Sequence, residues 1–163
     1  MISSNQYDGL PLMAAKAAPK WKRFLAKNKK KLEGMDLTVH ALHDKYSLAI
    51  DCLQCARCCR DLGPRIEEKD VDRLAKALRM KSVDVIAQYF KVDEDGDRVF
   101  KSMPCPFLAD DNYCLVYEAR PKACREYPHT DRKRFYQIFN LSVKNAETCP
   151  IVYEVLEEIT KTE

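Results

Sequence analysis

Four cysteines within eight residues, Cys52-Leu-Gln-Cys55-Ala-Arg-Cys58-Cys59, are the strongest constraint on this chain. Gaps of two residues allow a tight turn to direct successive sulfurs inward while backbone N–H groups approach them. That arrangement suits a metal bound by thiolates. The other four cysteines are more widely spaced, and two of them precede a proline, which fixes the chain direction there. They are Cys105, Cys114, Cys124 and Cys149.

Metal binding explains this cysteine content better than disulfides do. Eight cysteines in 163 residues are about 5% of the chain, below the roughly 8–10% that marks a disulfide-stapled miniprotein. The sequence shows neither a secretory signal nor an apolar run of the roughly 18 residues that a membrane span needs. We therefore expect a cytoplasmic protein without a membrane segment, in a compartment where thiols stay reduced. A disulfide set is the alternative.

The spacing leaves the metal undecided. The first three cysteines match the bacterial ferredoxin pattern, but Cys59 follows Cys58 directly and no Cys-Pro comes three residues later. A zinc ribbon needs two separate Cys-x2-Cys knuckles, and only one is present. Adjacent side chains of an extended chain point to opposite sides. Cys58 and Cys59 are therefore expected to have different roles. Either they bind two neighbouring metals, or one binds a metal and the other is a buried or reactive thiol.

The downstream cysteines lie in recognisable motifs: Met-Pro-Cys105-Pro-Phe-Leu, Tyr117-Glu-Ala-Arg120-Pro and Cys124-Arg. Together with the four-cysteine motif, they make the chain resemble the CxxCxxCC cysteine-cluster family of zinc- or iron-chelating domains, often called iron–sulfur oxidoreductases. The resemblance runs from about residue 52 to residue 149. It implies a metal-binding domain that holds zinc or an iron–sulfur cluster. The predicted ligands are all eight cysteines: Cys52, Cys55, Cys58, Cys59, Cys105, Cys114, Cys124 and Cys149.

Nearby cations would stabilise such a site, because four thiolates around zinc or a four-iron cluster carry a net negative charge. Arg120 and Arg125 lie in the densest motif and are predicted to contact the surroundings of the cofactor. Arg57 and Arg60 are further candidates, with a solvent-facing position as the alternative.

Histidines and tyrosines give a weaker signal. His40 and His43 are three residues apart on one predicted helix face, so they could ligate a metal together or lie on the surface. His129 could be an additional ligand or a proton relay. Tyr117 and Tyr127 are interpreted as packing residues. The sequence shows no catalytic constellation, which leaves enzyme activity undecided.

The charge is concentrated in one segment. Residues 14–32 contain eight basic side chains and no acid, and apolar residues recur among them at Trp21, Phe24 and Leu25. Pro19 is expected in the first turn of a helix that ends at Gly34. We divide the chain into a basic N-terminal arm, residues 1–34, and a cysteine-cluster metal-binding domain, residues 35–163.

Two interpretations of the basic segment are open. It could bind nucleic acid or anionic lipid through residues 14–32. It could instead be a solvated helix whose apolar stripe packs on the domain. The second is favoured because no nucleic-acid-binding motif accompanies the charges. Any other redox or protein partner is unidentified.

The remaining pattern predicts a mainly α fold with one small β-hairpin and irregular cysteine-rich loops organised around bound metal. We expect a second helix with Leu37, Leu42 and Leu48 along it, a helix over 67–80, a short helix N-capped by Ser82, and a hairpin over 92–100 that turns at Asp95-Gly96.

A C-terminal helix is predicted from residue 149 to residue 159. Its buried stripe is expected at Val152, Val155, Leu156 and Ile159. Its solvated face is expected at Glu154, Glu157 and Glu158.

These observations predict a cytoplasmic metal-binding protein that holds zinc or an iron–sulfur cluster through cysteine thiolates. If it is redox-active, it would serve as an accessory redox protein. The alternatives are a zinc-stabilised module that binds protein or nucleic acid, and a thiol redox sensor.

Overall fold

The computed structural model describes residues 4–161. The first three residues of the predicted arm and the last two of the predicted domain therefore lie outside the described residues. The chain divides into two compact units. Unit 1 consists of the described residues of Met1–Cys55 and Pro128–Glu163, and unit 2 is Ala56–Tyr127. The boundary between them falls inside the four-cysteine motif. The predicted division at residue 34 stays a prediction.

Helices account for most of the regular structure. They are α1 Leu10–Glu33, α2 Asp36–Ala49, α3 Cys52–Cys55, α4 Arg57–Asp61, α5 Glu68–Leu78, α6 Ser82–Tyr89, α7 Lys122–Glu126, α8 Phe139–Asn145 and α9 Pro150–Ile159. Short 3₁₀ turns lie at Ser4–Tyr7, Tyr117–Ala119 and Phe135–Ile138. Within residues 4–161 the strands β1 Phe90–Val92 and β2 Arg98–Phe100 form the one sheet. The predicted fold class, mainly α with a small hairpin, is confirmed.

Helix α1 packs its apolar side on α8 and α9 in unit 1, which buries Trp21 and Phe24 completely or nearly so. The helix begins well before Pro19, so the expectation that this proline occupies a first turn is wrong. Pro11 fills that position instead, where a missing N–H costs no helical hydrogen bond. The predicted end of the helix at Gly34 is confirmed.

Helix α2 exists as predicted, but it buries a different face. Leu37 and Leu48 are 84% and 86% exposed, whereas Val39 and Tyr46 are buried. Helix α2 packs against α9 in unit 1. Leu37 and Leu48 of the sequence pattern thus do not mark the packed side of this helix, and Leu42 is partly buried.

Helix α9 buries the predicted stripe. Val152, Val155, Leu156 and Ile159 are at most 2% exposed, in agreement with the apolar spacing.

The expected solvated face of α9 is wrong, because its carboxylates accept hydrogen bonds from neighbouring helices and turns. The Tyr7 hydroxyl donates to Glu154 at 3.0 Å. Trp21 Nε1 donates to Glu157 at 2.9 Å. The Glu158 carboxylate also accepts from a tyrosine of α2, at 3.2 Å. Packing against both α1 and α2 gives these three glutamates protein partners.

Unit 2 is built on α5, α6 and the hairpin. Phe90 lies opposite Phe100 in the antiparallel pair, and both side chains are buried in one apolar cluster with Val71 and Leu74 of α5. The predicted hairpin is confirmed, and Gly96 in its turn has φ +81°, a conformation that glycine adopts without strain.

The helix predicted over residues 67–80 is confirmed as α5. Ser82 is the first residue of α6 rather than its N-cap, and its hydroxyl donates to Asp72 at 3.2 Å.

The stability of unit 1 is expected to decrease at alkaline pH through Tyr7. Burial, together with the bond to Glu154, raises the pKa of this hydroxyl well above its ordinary value of 10.0. The unfolded chain therefore releases this proton first, so the stabilisation is complete below pH 10 and is lost as pH rises further. The decrease should reach at most about 1.4 kcal/mol per pH unit from this group.

Chemical denaturation at pH values on either side of 10 measures this effect. Tyr7→Phe should show a shallower alkaline decrease in the free energy of unfolding than the unchanged protein. Equal slopes for the two proteins would contradict the assignment to Tyr7.

Candidate metal centre

The structure has no disulfide among the eight cysteines, all of which lie within residues 4–161. Three of them belong to unit 1 and are called here the unit-1 thiol group: Cys52, Cys55 and Cys149. The other five belong to unit 2 and are called the unit-2 thiol group: Cys58, Cys59, Cys105, Cys114 and Cys124. The four-cysteine motif is thus shared between two groups, each of which includes cysteines distant in sequence.

Cys58 and Cys59 lie together rather than on opposite sides of the chain. Both are in α4, and their sulfurs are 4.0 Å apart. The premise of an extended chain is therefore wrong at this point, since helical geometry turns successive side chains by about 100° rather than 180°. This geometry therefore does not support the expectation that the two cysteines bind different metals or have different roles.

The loop that carries Cys105 is fastened to α4. The backbone N–H of Cys105 donates to the carbonyl of Cys59 at 2.8 Å. The Leu108 N–H donates to the Cys105 carbonyl at 3.1 Å. Burial raises the pKa of the Cys105 thiol, and the nearby backbone N–H groups of Phe107 and Leu108 oppose this rise by favouring the thiolate. Donors of this kind stabilise sulfur ligands of metals.

Cys114 is held in a similar way. It forms an isolated antiparallel bridge with Leu108, and the backbone N–H of Val116 donates to its thiol. Both Cys105 and Cys114 are partly buried against the apolar cluster of unit 2.

Cys124 lies in α7, whose first residue is held by a buried carboxylate. Asp70 is 1% exposed and accepts the backbone N–H of Lys122 at 3.0 Å. The same carboxylate accepts the N–H of Glu67 at 2.9 Å and pairs with the Arg73 guanidinium. Asp70 therefore connects the start of α5 to the helix that carries Cys124.

The unit-1 thiol group is centred on the start of α9. Cys149 is the N-cap residue of this helix and is buried. Burial raises the pKa of its thiol, the nearby backbone N–H groups of Val152 and Ile151 oppose this rise, and negative charge on Cys52 or Cys55 would raise the pKa further. The three thiols are thus close enough to interact electrostatically.

Burial is the largest influence on the pKa of four of the eight thiols. It raises the pKa of Cys105 to about 11 and the pKa of Cys124 and Cys149 to about 12. It raises the pKa of Cys114 as well. Cys59 differs, because the hydrogen bond with Cys58 lowers its pKa to about 7. A metal would have to displace protons from the buried thiols.

Arg120 is the cation best placed beside the unit-2 thiol group. Its guanidinium carbon lies 3.5 Å from the centroid of the Tyr117 ring, and its Nε donates to the Tyr117 carbonyl at 2.8 Å. Its positive charge favours the thiolates of the group. This lowers the pKa of Cys59 and opposes the rise that burial causes in the pKa of Cys114 and Cys124.

The other predicted arginines differ in their surroundings. Arg60 donates to the Asn112 side chain and its charge also acts on Cys59. Arg57 is half-buried, and Arg125 is exposed on α7. The predicted role of Arg125 at the cofactor stays a prediction.

The histidines of α2 contact protein groups. His40 Nε2 lies 3.1 Å from the Arg132 carbonyl oxygen, and His43 Nδ1 lies 2.7 Å from the Thr130 hydroxyl. His129 is half-buried with φ +67°. Tyr117 is 42% exposed rather than packed away from solvent, and Tyr127 is half-buried.

The thiol groups fit zinc or iron in their chemistry. Both metals accept thiolates, and four sulfurs with backbone N–H donors suit tetrahedral zinc or an iron–sulfur cluster. Among residues 4–161, however, no three Cys, His, Asp or Glu side chains have a mutual arrangement that would hold a metal ion. Binding would therefore require these side chains to reorient.

Sequence reasoning missed Asp70 as a positioning residue. The spacing Glu67-x-x-Asp70 is that of a capping box, and both hydrogen bonds of the box are present. This signal could have identified the local role of the carboxylate. It gives no indication of the contact with Lys122, 52 residues further along the chain.

Comparison with known proteins identifies one family. The family model CxxCxxCC, described as a "Putative zinc- or iron-chelating domain", matches residues 51–150. No curated protein and no solved structure matches the chain. In the described part of the chain, no helix has both the length and the apolar character needed to cross a membrane.

Asp70→Asn is expected to lower the free energy of unfolding by about 2–4 kcal/mol, because it removes a buried charge that pairs with Arg73 and accepts two backbone N–H groups. Chemical denaturation measures the change. Asp72→Asn on the same helix removes an exposed carboxylate and should cost less than about 0.5 kcal/mol. Equal losses for the two variants would refute the role assigned to Asp70.

Proposed function

Because the chain belongs to the CxxCxxCC family, we propose that it is a cytoplasmic metal-binding protein that holds zinc or an iron–sulfur cluster through cysteine thiolates. The observation that carries this proposal is the grouping of thiols distant in sequence. Beside Cys105, Cys114 and Cys149, backbone N–H groups favour the thiolate and oppose the effect of burial on the pKa. Such donors offset the negative charge that a thiolate acquires when it binds a metal.

The unit-2 thiol group is the principal site in this proposal. Cys59, Cys105, Cys114 and Cys124 supply the four thiolates that a structural zinc or a cubane cluster requires. Their electrostatic coupling supports this set, since negative charge on Cys105, Cys59 and Cys114 raises the pKa of Cys124. Cys58 is an additional thiol, 4.0 Å from the sulfur of Cys59.

The unit-1 thiol group provides a second, smaller set. Its three sulfurs are one fewer than a closed structural zinc site uses, so a water or an external ligand would complete the coordination. The N-terminal backbone N–H groups of α9 favour negative charge at Cys149.

The identity of the metal separates the possible roles. An iron–sulfur cluster supplies one-electron redox chemistry, and the protein then serves as an accessory redox protein. Zinc supplies no redox chemistry, and its role is then to stabilise an interaction module. The adjacent sulfurs of Cys58 and Cys59 favour thiol redox sensing as a second candidate function, in which the pair cycles between dithiol and disulfide.

Metal analysis of anaerobically purified protein tests the proposal. Iron with acid-labile sulfide and a visible absorption that dithionite bleaches would identify a cluster, whereas stoichiometric zinc in a colourless protein would exclude the redox-cluster role. Cys124→Ser should lose the metal of unit 2, and Cys149→Ser should retain it. His40→Ala, which changes no proposed ligand, should keep the full metal content.

Two results would contradict the assignment. Anaerobic protein that neither contains nor takes up zinc or iron would refute metal binding. Complete loss of metal in both cysteine variants, with their helical content intact, would refute the separation into two thiol groups.

Arg120→Gln is expected to weaken metal retention by about tenfold or more, because it removes a positive charge that favours the thiolates of Cys59 and Cys124. Competition with a chromophoric chelator measures the affinity. Arg120→Lys keeps the charge and should recover part of the loss, although an ammonium does not stack on Tyr117 as a guanidinium does. Arg125→Gln removes an exposed charge from α7 and is the matched control. It should weaken metal retention less than Arg120→Gln does. Equal losses for Arg120→Gln and Arg125→Gln would contradict this role.

A further inference from the structure

One face of α1 is occupied by the interior of unit 1. Leu10, Ala14, Trp21, Phe24 and Leu32 are buried. The helix contacts α8, α9 and the turn Phe135–Ile138. Its position on unit 1 is therefore fixed by packing, and its remaining face is directed away from that interior.

Basic side chains form a stripe along the remaining face. Lys16, Lys20, Arg23 and Lys27 recur at intervals of four, three and four residues, the spacing that keeps side chains on one side of an α-helix. All four are exposed. Lys20 also contacts Glu157 at 2.7 Å. The acidic residue of α1 is Glu33 at its C-terminal end, so no carboxylate within residues 10–32 offsets the charge of the stripe.

Three further exposed lysines follow a kink in the helix. Asn28 has non-helical backbone angles, φ −119° and ψ 23°, and the three lysines at 29–31 that follow it are all exposed.

A second basic segment of unit 1 lies near the C-terminal end of α1. The backbone N–H of Arg134 donates to the Asp36 carboxylate at 2.6 Å, and the Arg132 carbonyl contacts His40. Residues 132–134, three consecutive exposed cations, are thereby held at the start of α2, directly after the end of α1. We define the basic face as the exposed basic residues of 16–31 together with 132–134.

The shape and chemistry of this face favour a phosphate backbone. An amphipathic helix that enters a bilayer needs a free apolar side, whereas the apolar side of α1 is already buried. Residues 16–31 span about 22 Å at 1.5 Å per residue. A nucleic-acid strand presents about six phosphates over that distance, at 3.4 Å each. A row of lysines and arginines of similar length matches this regular negative charge.

We propose that the basic face of unit 1 binds the phosphate backbone of a nucleic acid. The contact is electrostatic and depends on exposed side chains of a helix whose packing is already complete. It is independent of the thiol groups, so it neither requires nor predicts a particular metal.

Fluorescence anisotropy with the full metal-loaded chain tests the proposal. The probes are a DNA duplex of about 20 base pairs and a single-stranded RNA of similar length, titrated between about 50 and 200 mM salt. The stripe variant changes Lys16, Arg23, Lys27 and Lys30 to Gln together, which retains helix propensity and leaves the Lys20–Glu157 pair intact. The matched control changes four exposed lysines of unit 2 to Gln: Lys69, Lys76, Lys81 and Lys91.

The stripe variant should bind at least about tenfold more weakly at low salt, and the slope of log K against log salt should decrease in magnitude by about 3–4, since each phosphate contact contributes about 0.9. The control, with the same change in net charge, should bind as the unchanged protein does. Unchanged metal content and circular dichroism in both variants show that the fold is retained.

Three outcomes would overturn the proposal. The unchanged protein could fail to bind either probe, or the two variants could lose affinity equally. Tighter binding to an acidic polypeptide such as polyglutamate, or to anionic phospholipid vesicles, than to either nucleic acid would assign the face to a different partner.

Discussion

Burial of sulfur beside backbone N–H donors is the constraint on which the rest of this structure depends. A thiol taken out of water resists ionisation, and burial therefore raises the pKa of Cys105 to about 11 and the pKa of Cys124 and Cys149 to about 12. The N–H groups that approach Cys105 and Cys149 oppose this effect and favour the thiolate. Such a thiol is protonated when no metal is bound and is a thiolate when a metal binds, because the positive charge of the metal stabilises the buried negative charge.

The two units position their buried cysteines in different ways. In unit 2 the buried Asp70 carboxylate joins α5 to the first residue of α7 and thereby fixes the helix that carries Cys124. In unit 1 the N-terminus of α9 presents backbone N–H groups to Cys149, while the rest of that helix packs against α1 and α2. The glutamates of α9 hold this packing through Tyr7, Trp21 and Tyr46.

Much of the fold could be predicted because its signals are local. The amphipathic spacing of α5, the apolar stripe of α9 and the Asp95-Gly96 turn each depend on residues close in sequence. The wrong predictions at Pro19, Ser82 and the Cys58–Cys59 pair are local, and the others concern partners distant in sequence. Leu37 and Leu48 suggested the packed side of α2, but the position of α9 selects Val39 and Tyr46 instead. Likewise, the glutamates of α9 were expected in water because nothing local shows that Tyr7 and Trp21 would reach them.

The amino-acid sequence is sufficient to establish four properties of this protein. It has eight thiols, a motif shared with the CxxCxxCC family, a mainly helical chain and a segment with eight basic residues. Those properties depend on residue type and on short spacings, which need no tertiary structure. Tertiary packing was needed to bring Cys52 and Cys149 into one group, to place the Asp70 carboxylate on the backbone of Lys122 and to bring the Tyr7 hydroxyl to Glu154. Packing joins segments that are 52 to 147 residues apart in these cases, and spacing along the chain carries no information about such contacts.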